Sequence, residues 1–431
     1  MLLEGTVVAD ADSVYPDGAV VVSGSAIEAV GSRDRIVDRY PSHERQRYDV
    51  ISPGIVAGHV HSVQSIGRGI ADDVALLDWL DDHVLPMEAA MSADDMTVAA
   101  RLGYLELIES GVTTCIDHLS VHHADRAFEA AAELGIRGVL GKALMDTGEP
   151  AELTESTADA LAESRSLIER FHGTRGDRLR YAVTPRSAMT CTEACLQGAR
   201  TLADAYEDVR IHSHAGETRE ENAAIRRERG AGNVDWYHDV GLTGSDVVLA
   251  HCVWTDDSER ELLAETGTHV VYCPSANMKL ASGIAPIVDY LNRGVSIAIG
   301  SDGPPCNNTL DPFTELRQAS VLQKVDRLDP AALTAPKVFE LATIGGARAA
   351  GFDRVGALRE GWRADLIGLR TDVARATPVH DVHAHLVYSA HGDDVAFSMV
   401  DGTVLMEEGR VTVADAGTIR RNATAAAESI I

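Results

Sequence analysis

Residues 50–61 have the sequence VISPGIVAGHVH, in which a mostly apolar run leads into two histidines, His59 and His61. Alternate residues of a β-strand point to the same face, so an His-x-His pair at a strand end can direct both imidazoles at one ion. The motif alone is weak, because His-x-His also arises by chance. Its place after an apolar run nevertheless predicts a metal site at the end of a strand.

Three further polar residues occupy corresponding places downstream. His214, His251 and Asp302 each follow a short apolar run rich in β-branched residues, which is typical of a buried strand. Together with His59 and His61 they would stand at the ends of four different strands. We therefore expect these side chains to form a single site.

Strand-like and helical segments alternate through the middle of the chain. Strands are predicted near residues 51–59, 112–117, 136–143, 179–184, 209–214, 246–251, 268–272 and 295–300. This alternation is typical of a parallel α/β fold, and eight strand–helix units predict a (β/α)8 TIM barrel. In such barrels the chemistry lies at the carboxyl ends of the strands, where the five polar residues fall.

The two ends of the chain resemble each other in their pattern. Residues 1–50 and 353–431 contain short alternating runs broken by Gly and Asp turns, which predicts small antiparallel strands. Neither segment alone can bury a core. We expect them to pair into one composite β-sandwich, which leaves residues 51–352 as the catalytic barrel domain.

The charge of the chain restricts its partners. A formal net charge of −28 offers no basic patch for a nucleic acid backbone, so a small-molecule substrate is expected instead. Such acidity keeps a protein hydrated where salt screens the charges, which predicts adaptation to high salt. Six dispersed cysteines show no disulfide framework. With no targeting segment and no long apolar run, we expect a cytoplasmic protein without a membrane partner.

The residue types at the strand ends suit a hydrolytic metal. His59, His61, His214 and Asp302 would hold one divalent metal, with zinc favoured and iron as the alternative. A bound metal lowers the pKa of water, and Asp302 could accept the proton. The competing interpretation is a set of unrelated buried polar residues. A second metal would need a bridging group, for which Lys142 is the only candidate, so we expect one metal.

Two further residues are candidates for proton transfer. Glu217, three residues after His214, could contact the substrate and protonate its ring nitrogen. His251 could hydrogen-bond the water or bind a second metal. The alternatives are a solvated surface glutamate and an ordinary core histidine.

These motifs together resemble a known family. His59-x-His61, His214-x-x-Glu217, His251 and Ser301-Asp302 are similar to the amidohydrolase superfamily, in its mononuclear deaminase and triazine-hydrolase branch. That branch includes adenosylhomocysteine, methylthioadenosine and 5′-deoxyadenosine deaminases, guanine deaminases and atrazine-type hydrolases. The resemblance spans the chain from Pro53-Gly54 to the segment 356–366. It implies a metal-dependent aminohydrolase that acts on the C–N bonds of cyclic amidines.

The resemblance leaves the substrate open. Segments 77–88 and 272–280 are similar to adenosine-type deaminases and triazine hydrolases, whereas segments 141–146 and 184–191 resemble guanine deaminases. An adenine nucleoside such as 5′-deoxyadenosine, methylthioadenosine or adenosylhomocysteine is favoured, which would yield the oxo product and ammonia. Guanine or an aminotriazine is the alternative substrate, and a catalytically inactive barrel scaffold is the alternative of another class. Ammonia, an alkylamine or chloride could each be the leaving group.

Two residues are candidate substrate contacts beside Glu217. Trp79 lies in the long connection after the first barrel strand, where a lid over the barrel mouth is expected and its ring could stack on a heterocycle. Arg186 could make a forked contact with a carbonyl or ribose oxygen. The alternatives are that Trp79 packs the lid onto the barrel and that Arg186 pairs with a carboxylate. Members of this branch are commonly oligomeric, so a homo-oligomer is also compatible with the resemblance.

Overall fold

The computed structural model describes residues 1–430, which form two β-sheets and surrounding helices. The strands are β1 (Leu2–Val8), β2 (Val14–Ser23), β3 (Ala26–Ser32), β4 (Arg45–Pro53), β5 (Ile55–Val60), β6 (Val112–His118), β7 (Arg137–Gly141), β8 (Ala143–Leu144), β9 (Leu179–Pro185), β10 (Arg210–Ala215), β11 (Val247–His251), β12 (His269–Tyr272), β13 (Ser296–Ile299), β14 (Leu366–Leu369), β15 (Val395–Val400), β16 (Thr403–Glu407) and β17 (Arg410–Val411).

One sheet is a parallel barrel. Its strand order is β5-β6-β7-β9-β10-β11-β12-β13, with the short β8 paired to β9. The first and last strands meet at one parallel bridge between Val60 and Asp302, where the Asp302 amide donates to the carbonyl of His59 at 3.1 Å. The predicted (β/α)8 barrel is confirmed.

The segment predicted as the first barrel strand, residues 51–59, belongs to two strands. Residues up to Pro53 continue β4, which pairs with β1 and β14, and the barrel strand β5 begins at Ile55. Between them, the Gly54 amide donates to the carbonyl of Asp365 at 3.1 Å. The apolar pattern runs through this junction because both sheets bury it, so the sequence shows one segment where the structure has two.

The second sheet is built from both ends of the chain, in the order β17-β16-β15-β14-β4-β1-β2-β3. It bends so that the β2–β3 turn and the β15–β16 turn both meet Ala364: Ala364 donates to the carbonyl of Ser25 at 2.9 Å, and Gly402 donates to the carbonyl of Ala364 at 3.1 Å. The bend encloses a small core that includes Leu3, Val20, Ile51, Leu366 and Phe397. The predicted small sheet domain from the two chain ends is therefore confirmed, while the division at residues 50 and 353 stays a prediction.

Helices surround the barrel and cover its ends. They are α1 (Arg33–Arg39), α2 (Leu76–Trp79), α3 (Leu85–Ala90), α4 (Ala93–Glu109), α5 (Ala124–Leu134), α6 (Thr157–Phe171), α7 (Thr174–Asp177), α8 (Glu193–Ala203), α9 (Arg219–Arg229), α10 (Asn233–Asp239), α11 (Asp257–Thr266), α12 (Pro274–Lys279), α13 (Ile287–Arg293), α14 (Pro304–Asn307), α15 (Pro312–Arg327), α16 (Ala335–Glu340), α17 (Gly346–Ala350), α18 (Val382–Tyr388) and α19 (Ala416–Ile430). Among residues 1–430, no helix combines the length and apolar character needed to cross a membrane.

The local sequence explains where the longer helices begin and end. Helix α4 starts after Ser92, whose hydroxyl accepts from the amide of Asp95 in a capping box. Helix α11 starts after Asp256 in the same way and ends at Gly267, which has a φ of 71°. Glycine adopts this left-handed conformation without steric cost.

The connection after β5 covers the carboxyl end of the barrel. It runs through a 3-10 turn (Ser62–Gly67), α2, a π-helical turn (Leu80–Val84) and α3. Leu76 and Trp79 on this connection pack in one apolar cluster with Ala276 and Leu280. An ion pair between Lys279 and Asp72, 2.5 Å between Nζ and Oδ1, links the same two segments. This connection forms the lid expected over the barrel mouth.

Candidate active site

The four predicted metal ligands converge at the carboxyl end of the barrel. His59 lies near the end of β5 and His61 directly follows this strand, His214 lies near the end of β10, and Asp302 follows β13. The Nε2 atoms of His61 and His214 are 3.2 Å apart, and Asp302 Oδ1 lies 3.3 Å from Nε2 of both His59 and His61. Two overlapping groups of candidate ligands result, His59–His61–His214 and His59–His251–Asp302.

Main-chain carbonyls fix the tautomers of two of these histidines. Nδ1 of His61 bonds to the carbonyl of His118 at 2.7 Å, and Nδ1 of His214 bonds to the carbonyl of Arg186 at 2.6 Å. A carbonyl only accepts, so each imidazole carries its proton on Nδ1 and presents the lone pair of Nε2 to the cluster. Burial lowers the pKa of His61 to about 4 and that of His214 well below its ordinary value, so both rings are neutral.

The cluster has the chemistry of a divalent metal site. Among residues 1–430, Nε2 of His59 is a buried nitrogen without a hydrogen-bond partner, and it faces the Asp302 carboxylate. Neutral imidazole nitrogens and one carboxylate oxygen are the donors that zinc takes in hydrolytic sites. The residues present therefore fit the metal that the sequence predicts.

Glu217 lies beside the cluster as a buried carboxyl group. Its Oε2 is 3.6 Å from His251 Nε2. Burial, together with the negative charges of Asp302 and Glu221, raises the pKa of Glu217 well above its ordinary value. Its main chain is held by Glu221, whose Oε2 accepts from the Glu217 amide at 2.7 Å. With its pKa raised in this way, Glu217 is a candidate to donate a proton.

His251 ends β11 and is oriented by Asn277. The amide nitrogen of Asn277 donates to Nδ1 of His251 at 3.0 Å, so the proton of the imidazole resides on Nε2. That nitrogen lies 3.6 Å from Glu217 Oε2 and 3.8 Å from Asp302 Oδ2. Burial lowers the pKa of His251 to about 3. His251 therefore presents a neutral N–H between the two carboxyl groups.

A cavity opens onto these groups. His61, His214, Glu217, His251 and Asp302 line one side of it. The opposite side is apolar and consists of the lid residues Leu76, Leu77, Trp79, Leu80 and Leu85 and of Met189, which follows β9. The division into polar and apolar sides is typical of a small-molecule site. Trp79 is only 5% exposed, so it packs the lid and lines the cavity at once.

Arg186 lines the same cavity but is bound to a carboxylate. Its two terminal nitrogens lie 3.0 and 3.1 Å from the two oxygens of Glu88. Gln64 and Ser120 donate to the same carboxylate at 2.8 and 2.7 Å. Burial would raise the pKa of Glu88, but Arg186 and the other donors lower it below its ordinary value. Arg186 therefore pairs with one carboxylate, that of the buried lid residue Glu88.

Several residues of the site had no role in the sequence prediction. They are Gln64, Glu88, His118, His212 and Asn277. His118 had a detectable signal, because it ends a strand as the ligands do. His212-x-His214 repeats the spacing of His59-x-His61. Lys142, considered as a bridge to a second metal, is instead buried in ion pairs with Glu155 and Glu163.

Comparison with known proteins identifies the family. Residues 50–405 match the amidohydrolase family. The 5′-deoxyadenosine deaminase of Methanothermobacter thermautotrophicus is 38% identical over 100% of this chain and 98% of that protein. The 5-methylthioadenosine/S-adenosylhomocysteine deaminase of Thermococcus onnurineus is 39% identical over 83% of this chain and 82% of that protein.

Solved structures agree with these relatives. An adenosine deaminase from Xanthomonas campestris with bound zinc superposes with a TM-score of 0.93 at 30% identity, covering 100% of this chain and 98% of that one. Both the sequence matches and this structure extend over the barrel and the terminal sheet. The resemblance inferred from the sequence motifs is thereby confirmed, and the chain belongs to the amidohydrolase family.

Proposed function

We propose that the protein is a metal-dependent hydrolytic deaminase that replaces the amino group of a purine with an oxo group and releases ammonia. One observation carries this proposal: the Nε2 atoms of three histidines and the Asp302 carboxylate converge on one edge of a cavity that Glu217 also lines. The relatives named above, which are adenine nucleoside deaminases, support it.

His59, His61, His214 and Asp302 would hold a single zinc ion, with iron as the alternative. When bound, the metal supplies positive charge that lowers the pKa of water. A second metal is not expected, because Lys142 is tied to Glu155 and Glu163. Elemental analysis of the purified protein would test this: one equivalent of zinc is expected, and two equivalents would contradict it.

Glu217, His251 and Asp302 divide the proton transfers. Glu217 donates its proton to the ring nitrogen next to the carbon that bears the amine. Asp302 accepts one proton of the attacking water and passes it to the departing amine, which leaves as ammonia. Glu217 regains its proton from the remaining hydroxyl as the oxo group forms. Because Asn277 places the proton of His251 on Nε2, His251 donates a hydrogen bond between these two carboxyl groups and holds the water there.

An adenine nucleoside with a small or apolar 5′ group is the favoured substrate. The apolar cavity wall of Leu76, Trp79 and Met189 suits the 5′-deoxy or methylthio group. Adenosylhomocysteine fits this wall less well, because its amino acid is charged. Arg186, the guanidinium in the cavity wall, already binds Glu88.

Guanine or an aminotriazine is the second candidate substrate. The guanidinium of Arg186 faces the cavity, and such a group can bind a ring carbonyl if it exchanges Glu88 for the substrate. Replacing Arg186 by His should then change the ratio of kcat/KM values between guanine and adenine nucleosides. An unchanged ratio would remove Arg186 from base recognition.

Ammonia release tests the proposal directly. The assay would be run in high salt with zinc, on 5′-deoxyadenosine, methylthioadenosine, adenosylhomocysteine, adenosine, guanine, cytosine and an aminotriazine. We expect the highest kcat/KM for 5′-deoxyadenosine or methylthioadenosine. Preference for guanine or the triazine would support the second candidate, and no release from any compound would contradict the proposed deaminase.

Three further proposals concern the protein in the cell. We retain a cytoplasmic location and a homo-oligomeric state as expectations, along with adaptation to high salt. Fractionation of the source cells would test the first, and light scattering after size-exclusion chromatography would test the second.

A further inference from the structure

His212 is a buried histidine that the proposed mechanism does not use. It lies on β10 two residues before His214, so both side chains point to the same face of the strand. The side chain is completely buried. Its Nδ1 is 3.0 Å from the carbonyl oxygen of Val248, and its Nε2 is 2.8 Å from Nδ1 of His59.

These two hydrogen bonds determine where each proton lies. The Val248 carbonyl can only accept, so Nδ1 of His212 carries the proton and its Nε2 is an acceptor. Nδ1 of His59 must then donate to that acceptor. The remaining nitrogen of His59, Nε2, is left with a free lone pair, and it faces Asp302 Oδ1 at 3.3 Å.

We infer that His212 is a positioning residue: its acceptor nitrogen fixes the tautomer and ring orientation of His59, so that Nε2 of His59 is available to the metal. This inference rests on the proposed metal-dependent function. The other two histidine ligands obtain the same tautomer from main-chain carbonyls, those of His118 and Arg186. His59 alone of the three depends on a side chain, so its tautomer alone can be changed by a substitution.

The surroundings of His59 give its Nδ1 no other acceptor among the described residues. The His59 and His212 rings lie 4.9 Å apart at 70° to each other, and both side chains are wholly buried. Without the acceptor, the buried N–H of His59 would be unpaired, which penalises the metal-binding tautomer. The proton could then move to Nε2, where it would block the metal.

Two amide substitutions test the roles of the two ring nitrogens of His212 individually. In His212→Gln the side-chain oxygen can reach the position of Nε2 and accept from His59. In His212→Asn the amide can reach only the position of Nδ1, so the bond to Val248 is kept and the acceptor for His59 is lost. His212→Leu removes both bonds.

The readout is the zinc dissociation constant, measured by competition with a chromogenic chelator on the full-length protein. Loss of a group that orients a metal ligand typically weakens metal binding roughly 10- to 100-fold. We expect that loss in His212→Asn and His212→Leu, and affinity near that of the unmodified protein in His212→Gln. If His212→Leu does not fold, the comparison of Asn with Gln decides the question.

His269 provides a matched control. It also lies on a barrel strand, is 5% exposed, and bonds to Ser296 Oγ at 2.9 Å and to the carbonyl of Ser245 at 3.1 Å. As the first residue of β12, it is at the opposite end of the barrel from the metal ligands. His269→Leu should lower the melting temperature and leave the zinc affinity unchanged.

The outcomes distinguish this inference from the proposed function. If His212→Asn binds zinc as tightly as the unmodified protein, or if His269→Leu weakens zinc binding equally, the positioning role of His212 is wrong. If the unmodified protein neither binds zinc nor releases ammonia, the proposed function itself is wrong.

Discussion

The guanidinium of Arg186 lies against the carboxylate of Glu88 with nitrogen–oxygen distances of 3.0 and 3.1 Å, in the wall of the cavity. Both side chains are less than a tenth exposed. Two neutral donors, Gln64 and Ser120, complete the coordination of the carboxylate. The lid, which carries Glu88, is therefore joined to the end of β9 by a fully bonded ion pair.

Removing one partner of this pair should destabilise the fold. Glu88→Ala leaves the buried Arg186 charge uncompensated, which we expect to lower the free energy of unfolding by about 3–5 kcal/mol. Urea denaturation would measure it. Glu109→Ala, which breaks the exposed pair with Arg420, is the control and should cost about 1 kcal/mol or less. Equal losses in the two variants would contradict the importance of the Glu88–Arg186 pair.

Replacement of Asp302 should abolish turnover and keep the fold. Asp302→Asn is the preferred variant, because the residue has a φ of 64°, which Asn tolerates better than Ala. The bridge to His59 uses the main-chain amide of Asp302, so it survives either substitution. We expect kcat/KM to fall by at least about 100-fold, with an unchanged circular dichroism spectrum. Retained activity would remove Asp302 from the proposed chemistry.

Replacement of Glu217 should act on catalysis and spare the metal. Glu217→Gln keeps the size of the side chain but removes the acidic proton, so kcat should fall roughly 10²- to 10⁴-fold. Zinc content should stay the same. Glu259→Gln is the matched control, since Glu259 is equally buried and has a raised pKa but caps α11 outside the cavity. A similar loss of kcat in both variants would point to a structural effect.

Glu315 should make stability depend on pH. Burial raises its pKa from 4.5 to about 7, so the folded state binds a proton that the unfolded state releases between these values. Its contribution to the free energy of unfolding is therefore largest below about pH 4.5 and decreases as the pH rises to about 7, in total by about 3 kcal/mol. Denaturation at pH 5 and pH 8 should show this decrease relative to Glu315→Gln. An equal change in the free energy of unfolding between pH 5 and pH 8 in the two proteins would contradict it.

Salt should stabilise the protein. The net charge of −28 produces self-repulsion, which is screened over about 10 Å at 0.1 M salt and over about 3 Å at 1 M. We expect the melting temperature to rise between these concentrations of potassium chloride. Differential scanning calorimetry would measure it, and a flat or falling melting temperature would contradict the predicted adaptation to salt.

The sequence predicts the fold, and the convergence of the candidate metal ligands, because both depend on local patterns. Short apolar runs locate the barrel strands, and polar residues directly after them locate one edge of the barrel. The junction at Pro53-Gly54 was hidden because β4 and β5 are both buried, and the strand predicted over residues 136–143 is divided into β7 and β8.

The hydrogen bonds that support the cluster could not be predicted in this way. Glu88 meets Arg186 and His59 meets His212 across 98 and 153 residues of chain. No local periodicity records which side chains meet at such separations. The tautomers follow from these pairs, so they too needed the structure.

The bridge between Val60 and Asp302 determines when the site can be completed during translation. His59, His61 and His214 emerge first, with the fourth proposed ligand still to be translated. Asp302 brings that ligand and the amide that meets the carbonyl of His59, so one residue joins the seam of the barrel and completes the cluster. A nascent chain that stops short of residue 302 therefore contains three of the four proposed metal ligands, but its barrel is not closed and its site is incomplete.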